Sequence, residues 1–159
     1  MVSAAVLAIE YTPAGLLAQN HGTTAGEATL IIDFGPHNAT SFPGQTVTWS
    51  QSGGKWTYTV RASGITEYIF PNVSYSNNTA WSLMLAASEV MNGTTGSGLV
   101  FQKVYFPALG EFQITAIEGV HDTNSLFWQY TVNGQPAAYG VQDEKIMSGD
   151  TVSWSFSTA

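Results

Sequence analysis

The chain has 159 residues, 44% of them apolar and only 9% charged, with a formal charge of −7 and no cysteine. At this length one domain with a real hydrophobic core is expected. The four basic residues, Lys55, Arg61, Lys103 and Lys145, are too dispersed to build the phosphate-facing footprint of a nucleic-acid binder, and without thiols there is no disulfide frame, thiolate nucleophile or zinc knuckle.

The chain opens with an apolar run, Val2 to Tyr11, that stops at Tyr11-Thr12-Pro13, where proline ends regular pairing. Leu7, Ile9 and Tyr11 share one parity and Val6, Ala8 and Glu10 the other, the pattern of a strand with one face to bury. No Lys or Arg precedes the run, so it lacks the basic start of a secretory signal, and it is too short to span a bilayer. Three readings stay open: an edge strand of the chain's own domain, a donor strand that completes a neighbour's sheet, or the remnant of a processing signal. Ala14 to Glu27 follows, with Gly15, Gly22 and Gly26 among polar filler, and reads as a linker. Residues 1–27 are therefore expected to be arm and linker, and 28–159 the domain.

Within the domain, strands are expected near 28–34, 45–50, 55–62, 98–106, 111–118, 126–133 and 150–157, with a further one at 4–11 in the arm. Lys55 to Val60 alternates cleanly, with Trp56, Tyr58 and Val60 inward and Thr57 and Thr59 outward. One helix is expected over 79–91, with Asn78 as N-cap, Trp81, Met84, Leu85 and Ser88 on one face, and Asn92-Gly93 as the stop. Phe127 to Val132 is an aromatic and β-branched run that ends at Asn133-Gly134, a strong hairpin signal. Gly44-Gln-Thr-Val-Thr-Trp-Ser50 echoes Gly149-Asp-Thr-Val-Ser-Trp-Ser155. A single echo of this length is read as shared strand chemistry rather than a repeat.

The segments Gly110 to Val120, Phe127 to Pro136 and Gly149 to Phe156 carry a family resemblance. They are similar to the C-terminal domain of transcobalamin and intrinsic factor, which recurs as a family of uncharacterised function in secreted bacterial and archaeal proteins. Ala28 to Gly35 resembles that family's opening strand and Thr79 to Met91 its helix, while Pro43 to Val73 is atypical. The resemblance implies a mostly β (α+β), grasp-like sheet of roughly seven to eight strands with one helix, here with an extended N-terminal strand arm. In the vitamin carriers the region of Phe127, Trp128 and Tyr130 lies over the corrinoid, pressed against an all-helical domain that this chain does not supply.

Candidate chemistry is sparse. His21, His37 and His121 have no ligand spacing, so no metal site is expected. Asp122, Asp143, Glu144 and Asp150 could pair across loops as acid and base, but Asp150 fits better as a turn residue bonding the backbone. Gly-x-Ser-x-Gly is missing, and the expectation is a protein that is not an enzyme and needs no cofactor. Asn38, Asn72, Asn77 and Asn92 fit the N-glycosylation rule, which favours an extracellular or cell-surface chain with attached glycans. Taken together, these features favour a secreted structural subunit of a filament or surface assembly. Its partners would be copies of itself, joined head to tail through Val2, Val6, Leu7, Ile9 and Tyr11. The alternative is a small-ligand, corrinoid-like or carbohydrate module built on Phe127, Trp128 and Tyr130.

Overall fold

The computed structural model describes residues 24–159. These residues form ten strands and one helix. In chain order the elements are β1 (Gly26–Asp33), β2 (Gln45–Ser52), β3 (Lys55–Ala62), β4 (Glu67–Tyr75), α1 (Ala80–Thr95), β5 (Phe101–Phe106), β6 (Glu111–Ile117), β7 (Val120–His121), β8 (Phe127–Val132), β9 (Gln135–Pro136) and β10 (Thr151–Ser157). Seven strands make one mixed sheet in the order β3-β2-β4-β1-β10-β8-β9, and β5-β6-β7 make a second, small one. The mostly β architecture with one helix is thus present. The 4–11 strand of the expected arm lies outside the described residues.

The sheet is built about its central antiparallel pair, β1 and β4. β2 runs parallel to β4, with Val47 beside Tyr68, and β10 runs parallel to β1, with Val152 beside Leu30. β3 is antiparallel to β2, setting Val60 opposite Val47 and Tyr58 opposite Trp49. β8 is antiparallel to β10 and sets Val132 opposite Val152 and Tyr130 opposite Trp154. The two flanks are therefore related by a quasi-two-fold axis through the β1–β4 pair. The sequence echo is positional: Thr46 to Ser50 and Thr151 to Ser155 occupy equivalent strands. A second echo, Trp56-Thr-Tyr-Thr-Val60 against Trp128-Gln-Tyr-Thr-Val132, falls on the strands paired to them.

β4 has no counterpart among the expected strands. Its sequence carries Pro71 and Asn72, and Asn72 has φ 49°. The pairing with β1 slips between Ala28 and Leu30, and the Asn72 amide donates to Thr29 Oγ1 at 3.2 Å instead. Such a bulge shifts the side-chain parity: Tyr68 and Phe70 point to the core before it, and Val73 and Tyr75 after it. A proline and a parity break conceal what is a central strand.

One face of the sheet carries Leu30, Ile32, Val47, Trp49, Tyr68, Phe70, Val152, Trp154 and Phe156, all buried. Trp49 stacks on Phe70 with ring centroids 4.1 Å apart. Aromatic side chains each bury about 150–250 Å², so this layer supplies much of the driving force. α1 lies against β4, β3 and β1, and β6 of the small sheet against β8. The helix starts at Thr79, not Asn78: the Thr79 side chain accepts from Ser82 N and satisfies one free amide of the first turn. It runs past Asn92-Gly93 to Thr95 and ends where Gly96, at φ 86°, returns its N–H to Asn92 O. Its buried face is Ala80, Leu83, Met84, Ala87, Val90 and Met91, whereas Leu85, expected inward, is 45% exposed. No helix of the described residues is long and apolar enough to cross a membrane.

Candidate functional site

Two places on this sheet could do more than hold it together, one on each flank. The first is β3. Among the described residues no strand lies beyond it in the sheet, so its outer ladder of amides and carbonyls is unpaired along eight residues. An edge of this kind is a template for another strand. Trp56, Tyr58 and Val60 point to the core side, as their parity predicts, because they share the face of Trp49 and Val47. Yet Tyr58 is 36% and Val60 41% exposed, while Trp49 and Val47 beside them are at 0%. Tyr58 packs on Phe42 at 5.7 Å and Trp49 at 5.9 Å. Thr57, Thr59 and Arg61 occupy the outer face, and Lys55 shares their parity at the strand's start.

The second place is a cleft of about 260 Å³ between β8 and β6, floored by Trp128, Tyr130 and Trp154 and walled by Phe112, Ile114 and the loop from Pro136 to Val141. That loop is pinned from three sides. Glu111 Oε2 accepts from Gly140 N at 2.7 Å, Glu144 Oε1 accepts from Ala138 N at 2.8 Å, and Tyr130 donates its hydroxyl to Tyr139 O at 2.6 Å. Tyr130 stacks on Trp154 with centroids 4.6 Å apart. Burial, and then the carboxylates of Glu144, Glu111 and Asp143, push the Tyr130 hydroxyl above its usual range, so it stays a donor. The Trp154 indole nitrogen is buried without a hydrogen-bond partner among the described residues. Such a bare donor costs about 1–3 kcal/mol.

Of the three aromatic residues of the alternative binding face, Trp128 and Tyr130 both line the cleft and Phe127 does not. Strand alternation sends Phe127 to the sheet's other face. Trp128 is 6% exposed, its ring packed edge-on to Phe34 at 5.3 Å and its indole N–H donated to Val120 O at 2.8 Å. It is a core residue that also lines the cleft, beside Tyr130, whose hydroxyl is held by the Tyr139 carbonyl. Trp154 and the Tyr139 loop were not singled out as cleft residues, although the Trp-Ser repeat of β10 was the available signal.

The glycosylation candidates divide. Asn38, Asn72 and Asn77 are exposed. Asn92 is 6% exposed inside α1, and its side-chain nitrogen is buried, so a glycan there is incompatible with this packing. The helix's extra turn beyond the expected stop is what buries it. Asp150 caps its turn, accepting from Met147 N at 2.8 Å and from Asn133 Nδ2 at 2.8 Å. His37 packs edge-on to Phe156. No group of three or more potential metal ligands occurs among the described residues. Val2, Val6, Leu7, Ile9 and Tyr11 lie outside the described residues.

Comparison with known proteins gives a family and a structural likeness. Residues 77–158 match the family described as "Domain of unknown function (DUF4430)". No curated protein matches the chain in sequence. Among solved structures, the crystal structure of haptocorrin in complex with Cbi is similar at 20% identity and a TM-score of 0.44, over 72% of this chain and 25% of the other. The chain therefore spans about a quarter of that protein's length.

Proposed function

For this chain, which belongs to the DUF4430 family of domains of unknown function, we propose that it is a secreted, non-enzymatic assembly subunit. Copies join head to tail when the N-terminal segment of one pairs with the sheet of the next. The observation that carries this reading is the edge of β3, eight residues long and without a neighbouring strand among the described residues, with half-exposed Trp56, Tyr58 and Val60 on its core-facing side. Ladder bonds would supply strength and the alternating apolar side chains of Val2 to Tyr11 the register. A head-to-tail contact does not close on itself, so it propagates into a filament unless rotation forms a ring. The 9% charged composition suits surfaces that become buried between copies, and the exposed Asn38, Asn72 and Asn77 suit an extracellular setting. A folded chain of residues 13–159, its folding checked by circular dichroism, should remain monomeric, while the full chain forms fibres or oligomers by negative-stain microscopy and light scattering. Polymers of the truncated chain would refute the mechanism.

A second reading has one observation of its own. The preformed cleft between two sheets is lined by the aromatic residues Phe112, Trp128, Tyr130 and Trp154, which favours a small ligand with an apolar or ring-stacking face. A corrinoid-like or carbohydrate ligand is the class that the resemblance to the transcobalamin C-terminal domain suggests. Saturable quenching of tryptophan emission by cobalamin, cobinamide or simple sugars would support this reading, and a flat response across that panel would count against it.

A further inference from the structure

We infer that the cleft between β8 and β6 takes a small organic cation, an ammonium group on an apolar body, held between the aromatic lining and the carboxylates of Glu111 and Glu144. This rests on the ligand-binding reading of the cleft and deepens it by naming the charge and size of the occupant. Two observations converge. The first is the lining. The rings of Phe112, Trp128, Tyr130 and Trp154 border the space, and Glu111 is the charged side chain among its lining residues. An aromatic face is electronegative and attracts a cation within about 6 Å of the ring centroid. One of these rings already does so. Lys103 sets its ammonium 4.3 Å from the Trp81 centroid and 4.6 Å from that of Phe112, and Phe112 is a wall of the cleft.

The second observation is charge. Glu111 Oε2 accepts from Gly140 N, and Glu144 Oε1 from Ala138 N. Both donors are neutral amides of the loop that walls the cleft, so the bonds fix the carboxylates beside it without cancelling their charge. Their field reaches the floor. After burial, the charges of Glu144, Glu111 and Asp143 raise the Tyr130 hydroxyl above its usual range. A potential that opposes a phenolate at that point favours a cation there by the same sign. The sequence brings no basic side chain into the cleft. Lys55, Arg61, Lys103 and Lys145 are absent from its lining, and residues 1–23 contain no Lys or Arg. Lys55 and Arg61 lie on β3, at the opposite end of the main sheet from β8. Lys145 is exposed and bridges to Thr79 at the start of α1. The formal charge of −7 adds a weaker, long-range attraction for cations.

Size narrows the class. The space of about 260 Å³ falls below the roughly 300–1,000 Å³ of pockets that enclose drug-sized ligands. It suits one small ring or a short branched chain that carries a single ammonium. The three hydrogen bonds that pin the loop from Pro136 to Val141 hold the wall in place beforehand, so little ordering is needed on binding. An anion meets the same field with the opposite sign and is turned away.

The test uses matched pairs of nearly equal shape and different charge: choline against neohexyl alcohol, and phenethylamine against phenethyl alcohol. Each is titrated into the full-length chain near neutral pH at low salt, with tryptophan emission followed to saturation. Each cation should bind about ten-fold more tightly than its neutral partner, and added salt should narrow that gap. Glu111→Gln keeps an oxygen for Gly140 N and removes the charge. With folding checked by circular dichroism, it should weaken each cation about three- to ten-fold, and Glu144→Gln should act in the same direction. Equal binding within both pairs would overturn the cation inference and leave the ligand-binding reading standing. Silence from both cations beside saturable quenching by cobinamide or a sugar would do the same. Silence from every compound would sink both. A preference for cations that neither substitution reduces would put the cation outside this cleft and overturn the assignment.

Discussion

The two flanks of the main sheet start from nearly the same sequence and end differently. On the β8 flank, Val132, Tyr130 and Trp128 face Val152, Trp154 and Phe156, and β9 with its loop closes the edge. On the β3 flank, Val60, Tyr58 and Trp56 face Val47, Trp49 and Gln51, and among the described residues the edge stays open. The divergence lies in the third pair. Phe156 and Trp128 pack together in the core with centroids 5.1 Å apart, whereas Gln51 is exposed and leaves Trp56 only partly covered. One flank spends its aromatic residues on its own stability. The other holds some of them at a border, where a further strand would finish the burial.

The comparison can be broken first at its strongest point. Trp49→Ala and Trp154→Ala should each destabilise the fold by about 3–5 kcal/mol in urea unfolding, because both indoles are fully enclosed. A cost under 1 kcal/mol for either would show that the two flanks do not share one core. The next effect concerns the helix over the β3 side. Burial pushes the Glu89 carboxyl up to about 7 from 4.5. The folded state then holds its proton over a range where the unfolded chain has lost it. Stability should therefore fall as pH rises from about 4.5 to about 7 and be flat above, by about 1–2 kcal/mol. Glu89→Gln should reduce that slope in denaturant titrations across this range, leaving the part that Glu67, Glu118 and Asp122 contribute, since burial pushes their carboxyls up as well; an unchanged slope would assign it to those groups alone.

The smallest contrast is the most specific. Tyr130→Phe strips the donor from the Tyr139 carbonyl and should cost about 1 kcal/mol. Tyr58→Phe should cost under about 0.5 kcal/mol in the truncated monomer, as surface changes do. Equal costs would mean that the β8 edge is no better closed than the β3 edge.

Much of this fold was legible in the sequence. β3 is found at 55–62 as alternation predicts, and the Asn133-Gly134 turn, with φ 52° and 81°, is the kind of hairpin that pair specifies. β4 was hidden by Pro71 and by a bulge that breaks period-two patterning in the middle of the strand. The helix ran a turn too far for its Asn92-Gly93 signal because Thr94 and Thr95 bond back to carbonyls of the preceding turn, Thr94 to Val90 O and Thr95 to Met91 O. Period alone could not locate the cleft, since Phe112, Tyr139 and Trp154 come from separate elements and meet only through the two-sheet packing. The repeat was visible in one half, as the Thr-Val-x-Trp-Ser strands. Its other half, Trp-x-Tyr-Thr-Val, comes after the first strand in one flank and before it in the other, and this reversed order disguised it.

Amide hydrogen exchange along Lys55 to Ala62 tests the central claim most directly, comparing the full-length assembly with the residues 13–159 monomer. The account predicts that alternate β3 amides exchange rapidly in the monomer and become protected in the assembly, while β8 amides are unchanged. Equal protection of β3 in both states, or protection gained on β8 instead, would contradict it.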